Sequence, residues 1–320
     1  MKNTITTGFK KSIRLFGVLF AVTVITFIMM DALPGNVAYE IAGEDATMQD
    51  IEAIEQELGL NKPVMIRYAM WLKNVAKGNL GVSFRNEEPV LDAILSRLPV
   101  TLELMVLSQL LALALAVPLG VICAFKGGKV IDKVLSSISF AMMSVPVFVM
   151  GLVLIYIFAI KLKWFPATGY IPFSESFRGN IRSFILPAFC IAMVEWVAFM
   201  RVLRSDMIAT LQEDFILMAK SKGLTTSHIL FKHALRPSSL TLITILGIHI
   251  GHLIGGAVVV ETIFALPGIG RLLISSIFSR DFAMVQGCIL IITIGYVSVN
   301  FLVDYVYTVL DPRIRISGMD

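Results

Sequence analysis

Charge is what this sequence has least of. Asp, Glu, Lys and Arg supply 16% of its 320 residues, against roughly 25% in an ordinary soluble domain, and the mean hydropathy is +0.82. A water-soluble globule is thereby excluded, because too few charged side chains exist to clothe one. Cysteine is scarcer still. Cys123, Cys190 and Cys288 are the three in the chain, each in or at the end of an apolar run, and the absence of any CxxC spacing argues against a zinc or redox centre. They read as small buried hydrophobes. The four histidines show no zinc-site spacing. GxxxxGK[ST], HExxH and GxSxG are all missing, so the chain lacks a phosphate loop, a metalloprotease helix and a nucleophile elbow of its own. No catalytic residue is assigned, and no nucleic-acid partner is expected.

Apolar runs take the place of those motifs. A helix needs about 20 mostly apolar residues to cross the hydrocarbon core, and six runs reach that length or approach it: Ile13 to Met30, Leu102 to Phe125, Leu135 to Ile160, Phe184 to Val202, Leu240 to Val260 and Val285 to Leu310. They are continuous rather than alternating, which favours helices over a barrel. The first follows Lys2, Lys10, Lys11 and Arg14, yet its core exceeds the 7 to 15 or so residues of a signal-peptide h-region, so it reads as a retained span. The fold class is an all-α integral membrane protein with six transmembrane helices, forming one domain over residues 1–320.

Charge also orients the spans. The amino-terminal segment, the Lys126–Lys133 link, the Arg201–Pro237 link and the tail with Arg313 and Arg315 are basic and share one side if six spans alternate. The positive-inside rule makes that side the cytoplasm and places both termini there. The other side receives residues 33–98, with ten carboxylates from Glu40 to Asp92. Within this cap Ile51, Ile54, Leu58 and Leu60 recur at roughly helical spacing, Gly59 stops the helix, and Pro63 opens another from Val64 to Val75. Val90 to Leu98 reads as an interfacial amphipathic helix, with Pro99 admitting the second span. Trp164 and Tyr170 suit a membrane interface. Residues 271–278, "RLLISSIF", read as a short helix re-entering the outer leaflet after Pro267, Gly268 and Gly270.

One basic, partly amphipathic stretch interrupts this grease: "EDFILMAKSKGLTTSHILFKHALRP", Glu213 to Pro237. Asp214 to Ser221 makes about two helical turns, Gly223 ends them, and Thr225 begins another helix. Phe215, Met218 and Ala219 are read on one face with Glu213, Lys220 and Lys222 around it. An apolar knob with a charged rim suits either a groove on a partner protein or lipid headgroups. The stretch resembles the EAA loop of permease subunits of ATP-binding-cassette importers. Gly223 takes the loop's glycine position, Ala219 its second alanine and Leu235 its leucine. Leu217 and Met218 stand where Glu and Ala would be, His233 replaces Ile, and Pro237 falls one residue late. Further blocks, "LGLNKPVMIRYAMWL", "GNLGVSF", "LPVTLEL", "SVPVF", "ETIFALPGIGRLLISSIFSRDFAMVQG" and "DPRIR" among them, are similar to the dipeptide/oligopeptide/nickel permease family in order over nearly the whole chain. "PVLDAILSRLPVTLEL" and "GIHIGHLIGG" look most like its nickel branch, and the short link between the third and fourth spans also occurs among oligopeptide permeases.

The resemblance implies a multi-pass half-transporter in a bacterial cytoplasmic (inner) membrane. Its partners would be a second homologous permease, two cytoplasmic ATPases and an extracytoplasmic substrate-binding protein. This chain would bind no cofactor, with ATP and Mg at the partner ATPases. Residues 205–238 would be the cytoplasmic coupling segment, with Glu213, Asp214, Phe215, Met218, Ala219, Lys222, Gly223 and Leu224 at the ATPase contact. Polar residues inside spans mark pathway candidates, since charge in hydrocarbon needs a cavity or a partner: Glu195, His249, His252, Asn300 and, near a span end, Asp304. His249 and His252 share a helix face, so two imidazoles could meet one metal such as Ni(II); neutral histidines bonded across helices are the commoner explanation for such a pair. Gly247, Gly251, Gly255 and Gly256 form a small-residue stripe that suits close helix approach. An intramembrane acid-base enzyme or a passive channel is the alternative class, and neither has a motif in its favour.

Overall fold

The computed structural model describes residues 17–29, 38, 47–59 and 61–310. The tail with Arg313 and Arg315, the charged amino terminus, part of the cap and the side chains of His252 and Asp304 lie outside the described residues. Among those described, every extended element is a helix, and pairing of strand type is limited to a bridge between Val82 and Pro89. The helices are α1 Gly17–Met29, α2 Met48–Leu58, α3 Val64–Val75, α4 Val90–Phe125, α5 Val130–Met143, α6 Val147–Lys161, α7 Phe177–Thr210, α8 Asp214–Ser221, α9 Leu235–Ile263, α10 Ile269–Phe278 and α11 Phe282–Leu310.

Among the described residues the six apolar runs do not all appear as single helices of bilayer length, and the first, read from Ile13 to Met30, is described only over residues 17–29. Four are long and apolar enough to cross a membrane: α4, α7, the rod leading into α9, and α11; the bent pair α5 and α6 makes up to five. The third span, read as one run, is broken by 102° between α5 and α6. Sequence "SVP" explains it: Ser144 caps α5 while Pro146, with no N–H to donate, can only start the next helix. The interfacial helix and the second span are, conversely, one helix. Pro99 does not divide α4, whose 36 residues extend about 54 Å at 1.5 Å per residue. That exceeds a hydrocarbon core of about 30 Å, so the helix is longer than an untilted crossing needs.

Two compact units divide the chain. One comprises the described residues up to Pro99 together with Gly268–Val297. Its core is Leu80, Val90, Ala93, Ile94, Ile269, Met284 and Cys288, and Val90 packs so closely on Gly287 that a Cβ there would collide with it. In the same unit Tyr68 bonds Thr23 at 2.9 Å and meets Phe27 edge-on, which fastens α3 to α1. Asp281 caps α11 by accepting from the Met284 N–H at 3.1 Å and also accepts from the Ser83 hydroxyl.

The other unit comprises Val100–Pro267 and Ser298 onward. α9 lies along α7, and two clusters of buried apolar side chains hold it together. One joins Leu104, Met150, Phe184, Cys190, Leu253 and Phe264; the other joins Ala116, Trp196, Phe199, Leu203, Met207 and Leu242. The glycine stripe of α9 is only partly a packing device: a Cβ on Gly247 would collide with Val303, whereas Gly255 and Gly256 have nothing within 4 Å. All three cysteines are buried free thiols.

Candidate functional site

The segment after α7 is built by local rules that its residues state. Glu213 is extended and precedes α8, whose first turn carries Asp214 and last turn Lys220, each charge opposed to the helix dipole end it faces. Gly223 has φ +73°; its N–H bonds the Lys220 carbonyl at 2.9 Å and the Leu224 N–H bonds the Ala219 carbonyl at 3.3 Å, the pair of bonds that closes a Schellman motif. No atom lies within 4 Å of a Cβ built there, so glycine is required by the backbone conformation and not by space. Thr225 then accepts from the His228 N–H at 3.4 Å. A three-residue helical turn and a π-helical stretch, Ile229–Ala234, lead directly into α9. Thr210 and Ser238 hydroxyls, 3.2 Å apart, close the base of this excursion.

Two faces of α8 do different things. Ile216 is fully buried and Ala219 is 5% exposed, and with Ile229, Leu230 and Ala234 they join the core of Leu203 and Met207. Phe215, Leu217 and Met218 are 43%, 64% and 57% exposed, and Leu224 is exposed beside them. Ala219, grouped from sequence with Phe215 and Met218, therefore anchors the helix inward, while Leu217 joins the exposed ridge. Glu213, Asp214, Lys220 and Lys222 are exposed around it.

A buried ion pair braces the same region. Arg204 grips Asp132 with two parallel bonds, Nε to Oδ1 at 2.5 Å and Nη2 to Oδ2 at 2.7 Å. The Asp132 side chain is 4% exposed and that of Arg204 29%, and the Gly128 N–H adds a bond to Oδ2 at 2.9 Å. The first turn of α5 is thus tied to α7 within two turns of the end of α7, on the side that leads to α8. Sequence reading missed this pair. Its signal was an isolated acid in an otherwise basic link and an arginine at the end of an apolar run. Also missed was Glu261, fully buried and bonded by the Thr101 hydroxyl at 2.6 Å.

Of the pathway candidates, the structure brings together Glu195 on α7 and His249 on α9. Nδ1 of His249 lies 2.5 Å from Oε2 of Glu195, and the imidazole meets Phe199 edge-on at 5.2 Å. Both remain partly accessible. Asn300 is half-buried on α11. The His252 side chain lies outside the described residues, and no group of three or more His, Cys, Asp or Glu suited to a metal occurs among those described.

Among the described residues the regular elements are helices, several of them long and apolar enough to cross a bilayer, with a two-faced helix on the link between two of these. The chain matches the binding-protein-dependent transport system inner membrane component over residues 116–316 and that family's N-terminal part over residues 8–105. It is 38% identical over 306 residues to a protein of Brucella abortus (strain 2308) named as a peptide transport system permease, covering 96% of this chain and 98% of that one. It is 36% identical over 309 residues to the oligopeptide transport system permease protein of Bacillus subtilis (strain 168), covering 96% and 98%. A crystal structure of an amino acid ABC transporter with histidines shares the fold at TM-score 0.50 and 18% identity, over 68% of this chain and 94% of that chain. The chain belongs to the family of binding-protein-dependent transport system inner membrane components. It is accordingly a multi-pass transport subunit and not an enzyme.

Proposed function

We propose that this chain forms half of the translocation pathway of an ATP-driven importer for short peptides, and that α8 transmits the motion of a cytoplasmic ATPase to α7 and α9. The observation that carries this reading is the split character of α8. Its inner face is packed into the core of α7 and α9, while Phe215, Leu217, Met218 and Leu224 face outward. Exposed apolar side chains on a short, rigidly seated helix are suited to a groove on a partner, and the seating lets a displacement there reach the bundle. Met218, Lys222, Gly223 and Leu224 belong to the contact or shape it, Glu213 and Asp214 form its charged rim, and Ala219 holds its back. The remaining assembly is a second homologous permease, two ATPases that use ATP and Mg, and an extracytoplasmic binding protein. Access alternates as the bundle tilts around a fixed pathway. The cap on 33–98 forms the extracytoplasmic entrance, with both termini in the cytoplasm. Met65, exposed on α3, tests this: Met65→Cys is expected to react with a membrane-impermeant maleimide added to right-side-out vesicles, and reaction only in inverted vesicles would reverse the orientation.

Peptides are preferred to nickel because the relatives are named for peptide systems and because His249 is already matched to a carboxylate. An imidazole N–H donating to Glu195 leaves the ring oriented by that bond, and Glu195 becomes a candidate contact for a peptide ammonium. In the assembled transporter, ATP-driven uptake of a short peptide is expected to fall about tenfold in Glu195→Gln, by the ~1.5 kcal/mol or more that a hydrogen bond to a charged group contributes. Nickel uptake is the control. Nickel transport lost selectively in His249→Ala with His252→Ala, at intact assembly and ATPase activity, would instead establish the two histidines as a metal station.

A further inference from the structure

Between Lys161 and Arg182 the chain carries Lys161, Lys163, Arg178 and Arg182 against Glu175 alone. With alternating spans this link lies opposite the basic cytoplasmic links, on the side where positive charge is ordinarily depleted. Lys161 rests over the Tyr156 ring, 5.6 Å from its centroid. Arg182 donates from Nε and Nη2 to the Trp164 carbonyl at 3.2 and 3.1 Å, which uses two of its five N–H groups. Among the described residues neither Arg178 nor Arg182 forms an ion pair.

The two arginines stand four residues apart, hence on one face of α7, and beside them runs an apolar column. Phe165, Phe177, Arg178, Ile181, Arg182 and Ile185 line a groove of about 500 Å³, within the size range of small-molecule clefts. Asn180, Ser183, Phe184 and Leu186 on the opposite side of the helix are buried in the bundle, so the groove faces away from the protein core. The groove surface is almost wholly apolar, the arginines lining it with their aliphatic stems, so an occupant that lays an apolar body over Ile181 and Ile185 and carries an anion to the two guanidiniums uses both features. Trp164 and Tyr170 mark the neighbourhood as headgroup level. A second protein subunit seated on this face would bury two guanidiniums, a costly step unless it brought carboxylates of its own.

We propose that this groove binds an anionic phospholipid, with the phosphate between Arg178 and Arg182 and an acyl chain along Phe177, Ile181 and Ile185. The site shares no residue with the proposed ATPase contact or with the pathway candidates Glu195, His249 and Asn300. Phe177 is 61% exposed at the groove mouth, which makes it the position for a photoreactive probe. The complete transporter carrying Phe177→p-benzoylphenylalanine is placed in vesicles of equal parts phosphatidylglycerol and phosphatidylcholine, irradiated, and its adducts weighed by mass spectrometry. Phosphatidylglycerol adducts are expected to exceed phosphatidylcholine adducts about fivefold, the factor one basic side chain contributes beside an anionic lipid. The excess is expected to fall toward parity in Arg178→Gln, and also in Arg178→Gln with Arg182→Gln. The single variant leaves the Trp164 contact intact, so a fold defect cannot mimic its result. Adducts in the bulk lipid ratio for the unsubstituted arginines would overturn the proposal. So would adducts to a second permease, or loss of the excess on adding millimolar inorganic phosphate, which would make the groove a site for a soluble anion.

Discussion

Arg204→Ala is expected to lower the stability of the permease by about 3 kcal/mol, near the bottom of the range for breaking a buried ion pair. The bottom applies because the Arg204 side chain keeps 29% exposure, whereas Asp132, at 4%, is left as an uncompensated carboxylate. A domain holds about 5 to 15 kcal/mol in all, so this one change removes a large share, and it does so where α5 is tied to α7. Thermal unfolding in detergent measures it. Replacing both partners by apolar residues of similar volume, Asp132→Leu with Arg204→Met, is expected to restore most of the loss, because no desolvated charge remains. Equal instability of the single and double variants would mean that the pair contributes through shape and not through charge.

Phe215→Ala with Met218→Ala is expected to leave folding almost unchanged and to uncouple transport. Both side chains are exposed in the isolated chain, so truncation removes little from its core; if each fills a pocket on an ATPase, the pair of truncations costs about 2 to 6 kcal/mol of association, at 1 to 3 kcal/mol per anchor. Binding of the ATPases to the purified permease, followed by titration, reads that loss directly. Ile216→Ala supplies the contrast. It faces the core with 0% exposure, and loss of a buried Ile costs about 2 to 5 kcal/mol of stability. The same helix should thus yield an association defect from one face and a folding defect from the other. Folding defects from both would remove the reason for treating α8 as a docking helix.

What the sequence made legible is whatever local chemistry decides. Gly223, with its positive φ, and Thr225, with a hydroxyl for the next helix start, delimit α8 at the boundaries read from the residues alone. Pro63 opens α3 in the same way. Hydropathy located the long apolar helices because lipid demands length, but it averages over single residues and so passed straight through "SVP", where the chain bends. It gave too much weight to Pro99, which a helix this long accommodates. Facing is decided by neighbours distant in sequence. Ala219 and Phe215 both lie on α8, yet only contact with the Leu203 and Met207 core turns Ala219 inward. For the same reason Asp132 and Arg204, 72 residues apart, could not be paired on paper, and the likeness of His249 and His252 to a metal pair gave no hint that Glu195 would take the first of them.

Crosslinking from α8 in the assembled transporter is the most direct measurement of its role. Because Cys123, Cys190 and Cys288 are buried, Phe215→Cys introduces an accessible thiol into the natural background, and a short bifunctional maleimide reagent can report what lies against it. The expected product is a permease–ATPase adduct from Phe215→Cys and from Met218→Cys, formed in high yield and altered in yield by ATP, with little or none from Met65→Cys on α3. Lipid-facing behaviour, in which the α8 thiols are freely labelled and give no ATPase adduct while the assembled transporter remains active, would contradict it.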